Sequence, residues 1–378
     1  MPWKEVSIMS LRREFVILAT AENANLRHLC RCFGISPNTA YKWLDRFQVG
    51  GTDGLEDRSR RPHNSPARTP KEMEDAIIEL RGNHPAWGGR KLERRLLDRG
   101  FTRVPRPSTI TAILRRHRLL DPKESSKHRA FCRFERAEPN ELWQMDHKGD
   151  FKLSQGRCFP LTILDDHSRF AIAVQACSGV NKSITQTELI KIFRRYGLPQ
   201  SITCDNGPPW GSSGRSYYTA LGVWLLRLGI AVSHSRPHHP QTQGKDERFH
   251  RTLEAEVLSY QHGTTLADWQ LHFDQWRVVY NTERPHEALS MNVPASRYQP
   301  SHRRYPERLP AIEYGPSDIV RKVRGYGHIK FAGHEYHVGK PFHGLHVALR
   351  PTTTDGLFDV FFCQQKIGTL DLADNKLR

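Results

Sequence analysis

Leu142-Trp-Gln-Met-Asp146-His-Lys-Gly-Asp-Phe151 reads as a strand that carries a carboxylate in its middle. A charge inside an apolar strand is costly unless a partner offsets it, and a divalent cation would do so. Two more apolar runs follow, Cys158–Leu164 and Phe170–Ala176, with Asp165-Asp166-His167-Ser168 as the turn between them. Beyond them the pattern predicts a helix over Lys182–Tyr196, a strand over Ser201–Cys204 and a helix over Tyr217–Leu228. A strand near Ala231–Ser233 and a long helix from Lys245 complete the series. Three antiparallel strands followed by alternating helices and strands describe a mixed α/β sheet with helices against its faces.

Two further acids stand at comparable places. Asp205 ends the fourth strand in Ile202-Thr-Cys-Asp205-Asn-Gly207, and Glu247 lies in the first turn of the long helix in Gln243-Gly-Lys-Asp-Glu247-Arg-Phe-His-Arg251. If the first and fourth strands are neighbours, Asp146 and Asp205 share one metal ion, and Glu247 completes a second site from the helix. Three carboxylates against two Mg2+ leave a cationic site suited to a phosphate, and ions about 4 Å apart serve in-line displacement. Each acid also has an ordinary reading: Asp205-Asn-Gly207 is a good turn, and Glu247 is a first-turn acid favoured by the helix dipole. Asp246 is expected to point away from Glu247 by about 100°. His234, His238 and His239 lack a well-spaced fourth ligand for zinc.

The whole chain of 378 residues is too long for one ordinary domain, and its 57 Lys+Arg against 40 Asp+Glu give a formal charge of +17. Such an excess points to a polyanion, most simply nucleic acid. Seven scattered cysteines without a CxxC pair fit a reducing cytosol rather than a disulfide scaffold. No apolar run is long enough for a membrane span, and the N-terminus lacks an apolar signal core.

Residues 1–140 hold 28 Lys+Arg and 17 Asp+Glu, so the basic excess is concentrated there. Leu11, Phe15 and Leu18 recur at helical spacing, and a second helix from Leu26 stops at Gly34. Ser36 then caps a third helix that starts with Pro37 and runs through Phe47. This is the helix-turn-helix plan, with Ile35, Ala40 and Trp43 inward and Asn38, Thr39, Tyr41 and Lys42 outward, suitably polar for DNA. An ordinary helical hairpin is the plainer alternative. The Pro- and Arg-rich segment that follows, with Arg58, Arg60 and Arg61, is either an inert linker or an arm along a DNA groove.

A second helical unit has apolar stripes at Met73, Ile77 and Leu80, at Leu92, Leu96 and Leu97, and at Ile110, Ile113 and Leu114, with Ser108 as a cap. Arg90, Lys91, Arg94, Arg95, Arg115 and Arg116 are expected on its solvent side, as DNA contacts or merely a solvated face. Trp269, Phe273, Trp276 and Tyr280 form a helical stripe read as core packing, while Arg284 and His286 beyond it are candidates to approach DNA. From Pro310 onward short apolar runs punctuated by Gly and Pro suggest a small β-barrel that binds DNA or bridges protomers.

Taken together, Trp143–Phe151, Ile163-Leu-Asp-Asp-His-Ser-Arg169, Asp205-Asn-Gly207-Pro208 and His239-Pro-Gln-Thr-Gln-Gly-Lys-Asp-Glu247-Arg resemble the catalytic core of DDE recombinases. The closest resemblance is to bacterial insertion-sequence transposases whose core is similar to retroviral integrase, and Gly54-Leu-Glu-Asp-Arg-Ser-Arg-Arg-Pro62 resembles that family as well. The resemblance implies a ribonuclease H-like fold and DNA cleavage and strand transfer dependent on Mg2+ or Mn2+. It implies Asp146, Asp205 and Glu247 as the catalytic, metal-binding triad, with Gln243, Gly244 and Arg248 near the DNA. Lys245 and Arg251 are expected to contact DNA from the same helix.

The expected organisation is a helix-turn-helix domain over 1–57, a basic linker over 58–70 and a second helix-turn-helix over 71–120. A linker over 121–140, the ribonuclease H-like core over 141–300 and a β-barrel over 310–378 follow. The expected function is that of a transposase, acting on terminal inverted repeats and target DNA in the bacterial cytoplasm, at the nucleoid and away from membranes. A homodimer or higher oligomer on DNA is expected, with an ATPase partner as a further candidate component. A transposase-derived regulator without catalysis and a ribonuclease H-like nuclease are the rival readings.

Overall fold

The computed structural model describes residues 7–58, 68–120, 135–211, 218–234, 244–374 and 376–377. They fall into two compact units, Met1–Arg68 and Thr69–Arg378.

The first unit is three helices, α1 (Ile8–Ala19), α2 (Leu26–Cys32) and α3 (Pro37–Gly50), closed by a 3-10 turn at Gly51–Leu55. Each starts on a side-chain cap: Ser7, Asn25 and Ser36 accept from the amides of Ser10, His28 and Thr39. Phe15, Val16, Cys30, Ala40, Trp43 and Leu55 form its core. The expected stripe on α1 shifts by one position, because Leu11 and Leu18 are exposed while Phe15 and Val16 carry the packing. So small a unit covers only a narrow strip of each helix. Arg12 closes it by donating to Leu55 O and Asp57 and lying 4.0 Å over the Trp43 ring. Asn38, Tyr41 and Lys42 face outward and Thr39 is half-buried.

The second unit opens with α4 (Lys71–Asn83), α5 (Gly89–Asp98) and α6 (Pro107–Arg116), packed on Ile77, Leu80, Trp87, Leu92, Leu96, Ile110 and Leu114. Burying an aromatic such as Trp87 contributes about 2–3 kcal/mol. Two expectations change here. Leu97 is exposed, and α6 begins on Arg106 with Pro107 at its first position, since the fixed φ of proline starts the helix before Ser108 takes a capping place.

Of the α5 cations expected on the solvent side, Arg90 is exposed, while Lys91, Arg94 and Arg95 are half-buried. Arg95 pairs with Glu283 at 2.6 Å, Arg90 with Glu287 at 3.2 Å and Arg94 with Asp98 at 2.9 Å. Burial, then the nearby Arg284, push the Lys91 ammonium down to about 8. Arg116 pairs with Glu74, whereas Arg115 is exposed. Helix α5 therefore faces acids that follow the core's last helix, which a linear sequence gives no means of seeing.

The central sheet comprises β1 (Leu142–His147), β2 (Phe151–Lys152), β3 (Arg157–Asp165), β4 (Ala171–Cys177), β5 (Ser201–Cys204) and β6 (Ala231–His234). Antiparallel pairing joins β4 to β3 and β3 to β1, and parallel pairing joins β1 to β5 and β5 to β6, with short β2 beside the start of β3. Helices α7 (Lys182–Tyr196) and α8 (Ala220–Arg227) cover one face over Trp143, Met145, Leu161 and Ile163. The other face meets α9 (Gly244–Leu253) and α10 (Leu266–Thr282). The long helix expected from Lys245 is thus two helices, parted after a π turn at Glu254–Leu258. Trp269, Phe273, Trp276 and Tyr280 are buried against the sheet.

Both edges of this sheet are closed by side-chain amides. Asn281 exchanges two hydrogen bonds with the backbone of Ala171, and Gln270 accepts from Ala176 N and donates to Val174 O. On the far edge, Gln365 does the same for Val232, accepting from its N–H at 3.1 Å and donating to its carbonyl at 3.2 Å.

Gln365 belongs to the C-terminal module, strands β7 (Ile319–Lys322), β8 (His328–Phe331), β9 (His334–His337), β10 (His346–Pro351), β11 (Leu357–Phe362), β12 (Gln365–Asp371) and β13 (Lys376–Leu377). The expected barrel is not closed. Five strands form an open antiparallel sheet in the order β13-β12-β11-β10-β7, and β8 and β9 form a separate hairpin. An isolated bridge between Arg324, just past β7, and His328 ties that hairpin to the sheet. Its interior joins the core's own apolar cluster, with Phe342 edge-on to Tyr218 at 5.4 Å. No helix among the described residues is long and apolar enough to cross a membrane.

Candidate active site

Parallel pairing of β1 with β5 sets Gln144 opposite Thr203. Asp146 lies two residues further along β1, and Asp205 follows directly after β5, near enough for its charge to act on Asp146. The side chains of Gln144 and Asp146 share the sheet face covered by α9, because alternate residues of a strand point the same way. Burial, and then the charge of Asp205, raise the Asp146 carboxyl to about 6, although the amide of His147 donates to it at 2.7 Å. Asp205 is likewise raised, mainly by burial, against a backbone donor at Gly207. Its Oδ1 atom is buried and has no hydrogen-bond partner.

The turn that presents Asp205 is tight. A Cβ on Gly207 would stand 2.8 Å from Asp205 Oδ2, so glycine leaves room for the carboxylate. Trp210 is buried beneath and stacks on His147 with centroids 5.7 Å apart. The turn reading of Asp205-Asn-Gly207 and the functional reading therefore coexist, since the turn aims the acid.

Glu247 stands exposed in the first turn of α9. Among the described residues no three His, Cys, Asp or Glu side chains converge into a metal cage. The structure brings together Asp146 and Asp205 and leaves Glu247 apart from them. Asp246 does diverge from Glu247, but inward: it is 3% exposed, and burial followed by the charges of Asp146 and Asp166 raises its carboxyl well above the usual range.

Lys245 is held at the base of the same helix, with its ammonium 2.5 Å from Asp166 Oδ1. Burial, then Arg169, lower it to about 8. It anchors α9 to the β3–β4 turn. Gln144 donates to the same Asp166 carboxylate at 2.8 Å. Arg248 and Arg251 are exposed, while Gln243, Arg60 and Arg61 lie outside the described residues, as do His238 and His239. Arg58 is exposed. Arg284 and His286, candidates to approach DNA, are instead buried at 8% exposure each, drawn in by Glu256 and the Tyr280 ring.

Two residues near the acids went unread in the sequence. His250 Nε2 lies 2.7 Å from Thr162 Oγ1, its Nδ1 is 3.9 Å from Asp146 Oδ2, and Thr162 donates to Asp146 O at 3.0 Å. Burial, then Lys148, push the His250 imidazole down to about 4, so it is neutral. The available signal was spacing, because His250 follows the inward-facing Asp246 by one helical turn.

Family models match the chain in five stretches. An integrase core domain matches residues 136–240, a second integrase core model matches 228–294, and the C-terminal domain of IS481 family transposases matches 318–378. A helix-turn-helix domain matches 12–63 and a homeodomain-like domain matches 39–114. The chain is 30% identical over 166 residues to an uncharacterized 31.7 kDa protein of insertion element IS407 from Burkholderia multivorans, covering 44% of this chain and 57% of that one. It is 27% identical over 157 residues to an uncharacterized 39.2 kDa protein of insertion element IS476 from Xanthomonas euvesicatoria, covering 42% and 44%. The chain thus spans about half the length of these relatives. A solved integrase catalytic core of HTLV-2 in complex with magnesium covers 43% of this chain and 97% of its own at 17% identity, with a TM-score of 0.33 that is too low to bear on the fold. The matched domains are those of an insertion-sequence transposase with an integrase-like core, and these two relatives are proteins of insertion elements.

Proposed function

We propose that this chain works as the DNA transposase its domains describe, cutting DNA at the ends of an element and joining the freed 3′-hydroxyls to target DNA by strand transfer. The observation that supports the reading is that Asp146, on β1, lies within electrostatic reach of Asp205, which follows directly after the neighbouring parallel strand β5, in a stretch matched by an integrase core model.

A divalent ion fits these residues. Carboxylate oxygens are hard ligands suited to Mg2+ or Mn2+, and Asp205 Oδ1 is buried without a partner while Asp146 is held near 6 by burial and its acidic neighbour. Asp146 and Asp205 would hold the ion between them, and Glu247 would supply the third carboxylate from α9. The chemistry a bound pair of such ions supplies is activation of the attacking oxygen and stabilisation of the leaving one. The chain's own residues fix the geometry: Gly207 leaves room for the Asp205 carboxylate, and the Lys245–Asp166 ion pair seats α9.

DNA is bound, in this proposal, by the outward face of α3 through Asn38, Thr39, Tyr41 and Lys42, and by Arg58, Arg60 and Arg61 along the backbone. Arg115 serves from the second helical module, and Gln243, Arg248 and Arg251 serve beside the cut. Arg90, Arg94, Lys91 and Lys245 remain further candidates, the first two in solvent-exposed ion pairs that phosphate could replace. Two ends require two active sites, so at least a dimer assembles on the DNA, in the bacterial cytoplasm. The finer division into two helix-turn-helix domains, linkers, core and C-terminal module is the working organisation.

The test uses DNA from the boundaries of the encoding element, labelled at one end and incubated with protein and Mg2+. A nick at the element tip that is lost in Asp205→Asn, with binding intact, is the expected result. Tight binding without a nick in Mg2+ or Mn2+ would favour a DNA-binding regulator instead.

A further inference from the structure

Tyr326 is the most exposed large apolar side chain but one among the described residues, at 79%, and it stands alone at the tip of Arg324-Gly-Tyr-Gly327 between β7 and β8. The tip is rigid. Arg324 and His328 exchange backbone hydrogen bonds at 2.8 and 2.9 Å, Gly327 O accepts from the amides of Val338 and Gly339, and the His343 ring bonds Gly325 O at 2.8 Å. A Cβ on Gly327 would stand 2.4 Å from Lys340 N, so the Lys340 backbone lies directly against the tip. Lys322 and Arg324 on the chain leading into the tip, and Lys340, whose backbone packs against Gly327, are exposed, while the one acid of the neighbouring hairpin, Glu335, is paired with Lys330.

An aromatic ring held out in water on a stiff loop forfeits its burial, and three exposed cations beside it favour an anionic partner. A base with an open face, linked to phosphates, matches both features, because every base offers a π-face and phosphates pair with the lysines and arginine. We propose that this tip is a second DNA site, in which Tyr326 stacks on an unpaired base at a strand end while Lys322, Arg324 and Lys340 hold the flanking phosphates. The inference rests on the transposase reading, since cut ends are where unpaired bases arise.

The experiment compares full-length protein and its variants on two labelled probes of one sequence, a blunt duplex and the same duplex with a single-stranded overhang. Tyr326→Ala should weaken overhang binding roughly 5- to 100-fold while sparing the blunt duplex, and Tyr326→Phe, which keeps the ring, should restore it. Arg324→Gln should lower the salt slope on the overhang probe by about one. Equal binding by Tyr326→Ala and the unaltered protein overturns the tip site but leaves the transposase reading standing if the blunt duplex is bound and nicked. A variant whose sedimenting mass changes without a loss of overhang binding assigns the tip to a protein contact and likewise overturns the proposal. No salt-sensitive binding of either probe by the unaltered protein would sink both.

Discussion

Replacing Glu256 by glutamine should destabilise the second unit more than any surface change, and the reason lies in what Glu256 neutralises. Its carboxylate is 2.8 Å from the Arg284 guanidinium, and the two side chains are only 8% and 10% exposed. It also accepts from the Trp276 indole at 2.9 Å, and Lys91 of α5 feels the charges of both members of the pair. Removing one partner of a buried ion pair leaves the other charge uncompensated, which costs about 3–5 kcal/mol. Here two cations, Arg284 and Lys91, would be left facing each other. The double variant Glu256→Met with Arg284→Met should cost clearly less than Glu256→Gln alone, because no orphan charge remains. The pH dependence has a definite sign. Lys91 sits near 8, below its ordinary value, and Glu256 is among the charges that hold it up. In Glu256→Gln, Lys91 should therefore release its proton more readily, and the penalty should shrink as pH rises from 7 toward 9. Urea unfolding followed by tryptophan fluorescence reads both variants against the unaltered protein. A single-variant loss below about 1 kcal/mol, the size of an exposed pair, would show that the pair is solvated and would refute the reasoning.

Three other outcomes follow from particular contacts. Gly207→Ala should leave folding nearly intact, because the atom it strikes is a movable carboxylate 2.8 Å away; nicking should fall sharply, and unimpaired nicking would count against Asp205 as a ligand. Gln365→Ala should cost about 1–3 kcal/mol by leaving Val232 N–H and C=O unpaired, seen as faster hydrogen exchange at Val232 and earlier protease cleavage within 310–378. His286 is buried and held well below 6.5, mainly by burial and then by Arg284 and Lys91. Only the unfolded chain then takes up its proton, so stability should fall by about 1.4 kcal/mol per pH unit below 6.5. Denaturation of His286→Gln against the unaltered protein should show the gap between them narrowing as pH drops, and a pH-independent gap would refute it.

The catalytic module was the most legible part in one dimension because its signals are local. Alternation, caps and turn residues gave β3 to β6 and α7 nearly to their ends, while the first strand, read through Phe151, stops at His147 and α8 starts at Ala220 rather than Tyr217. Ser36 and Pro37 read equally well because a cap is a contact within four residues. What stayed hidden was whatever depends on a distant partner. The acids that Arg95 and Arg90 of α5 meet, Glu283 and Glu287, lie some 190 residues later in sequence. Lys245 likewise could not reveal Asp166, and Arg284 gave no hint that Glu256 and Tyr280 enclose it. The inward turn of Asp246 was misjudged because a helical offset fixes only the angle between neighbours and not which of them faces the sheet. Closure of the C-terminal sheet was expected from strand count alone, whereas closure depends on pairing between its first and last strands.

The amides of Gln270, Asn281 and Gln365 bear on how copies of this protein meet. An open strand edge is an invitation to any other open edge, including that of an identical neighbour, and highly expressed sheet proteins aggregate along such seams. With β4 and β6 each answered from within the chain, that route is shut at both ends. Copies should therefore not join through the central sheet, and whatever gathers them must act elsewhere on the chain. If that agent is the DNA itself, assembly becomes a consequence of finding two ends rather than of abundance, and a lone copy in excess stays harmless.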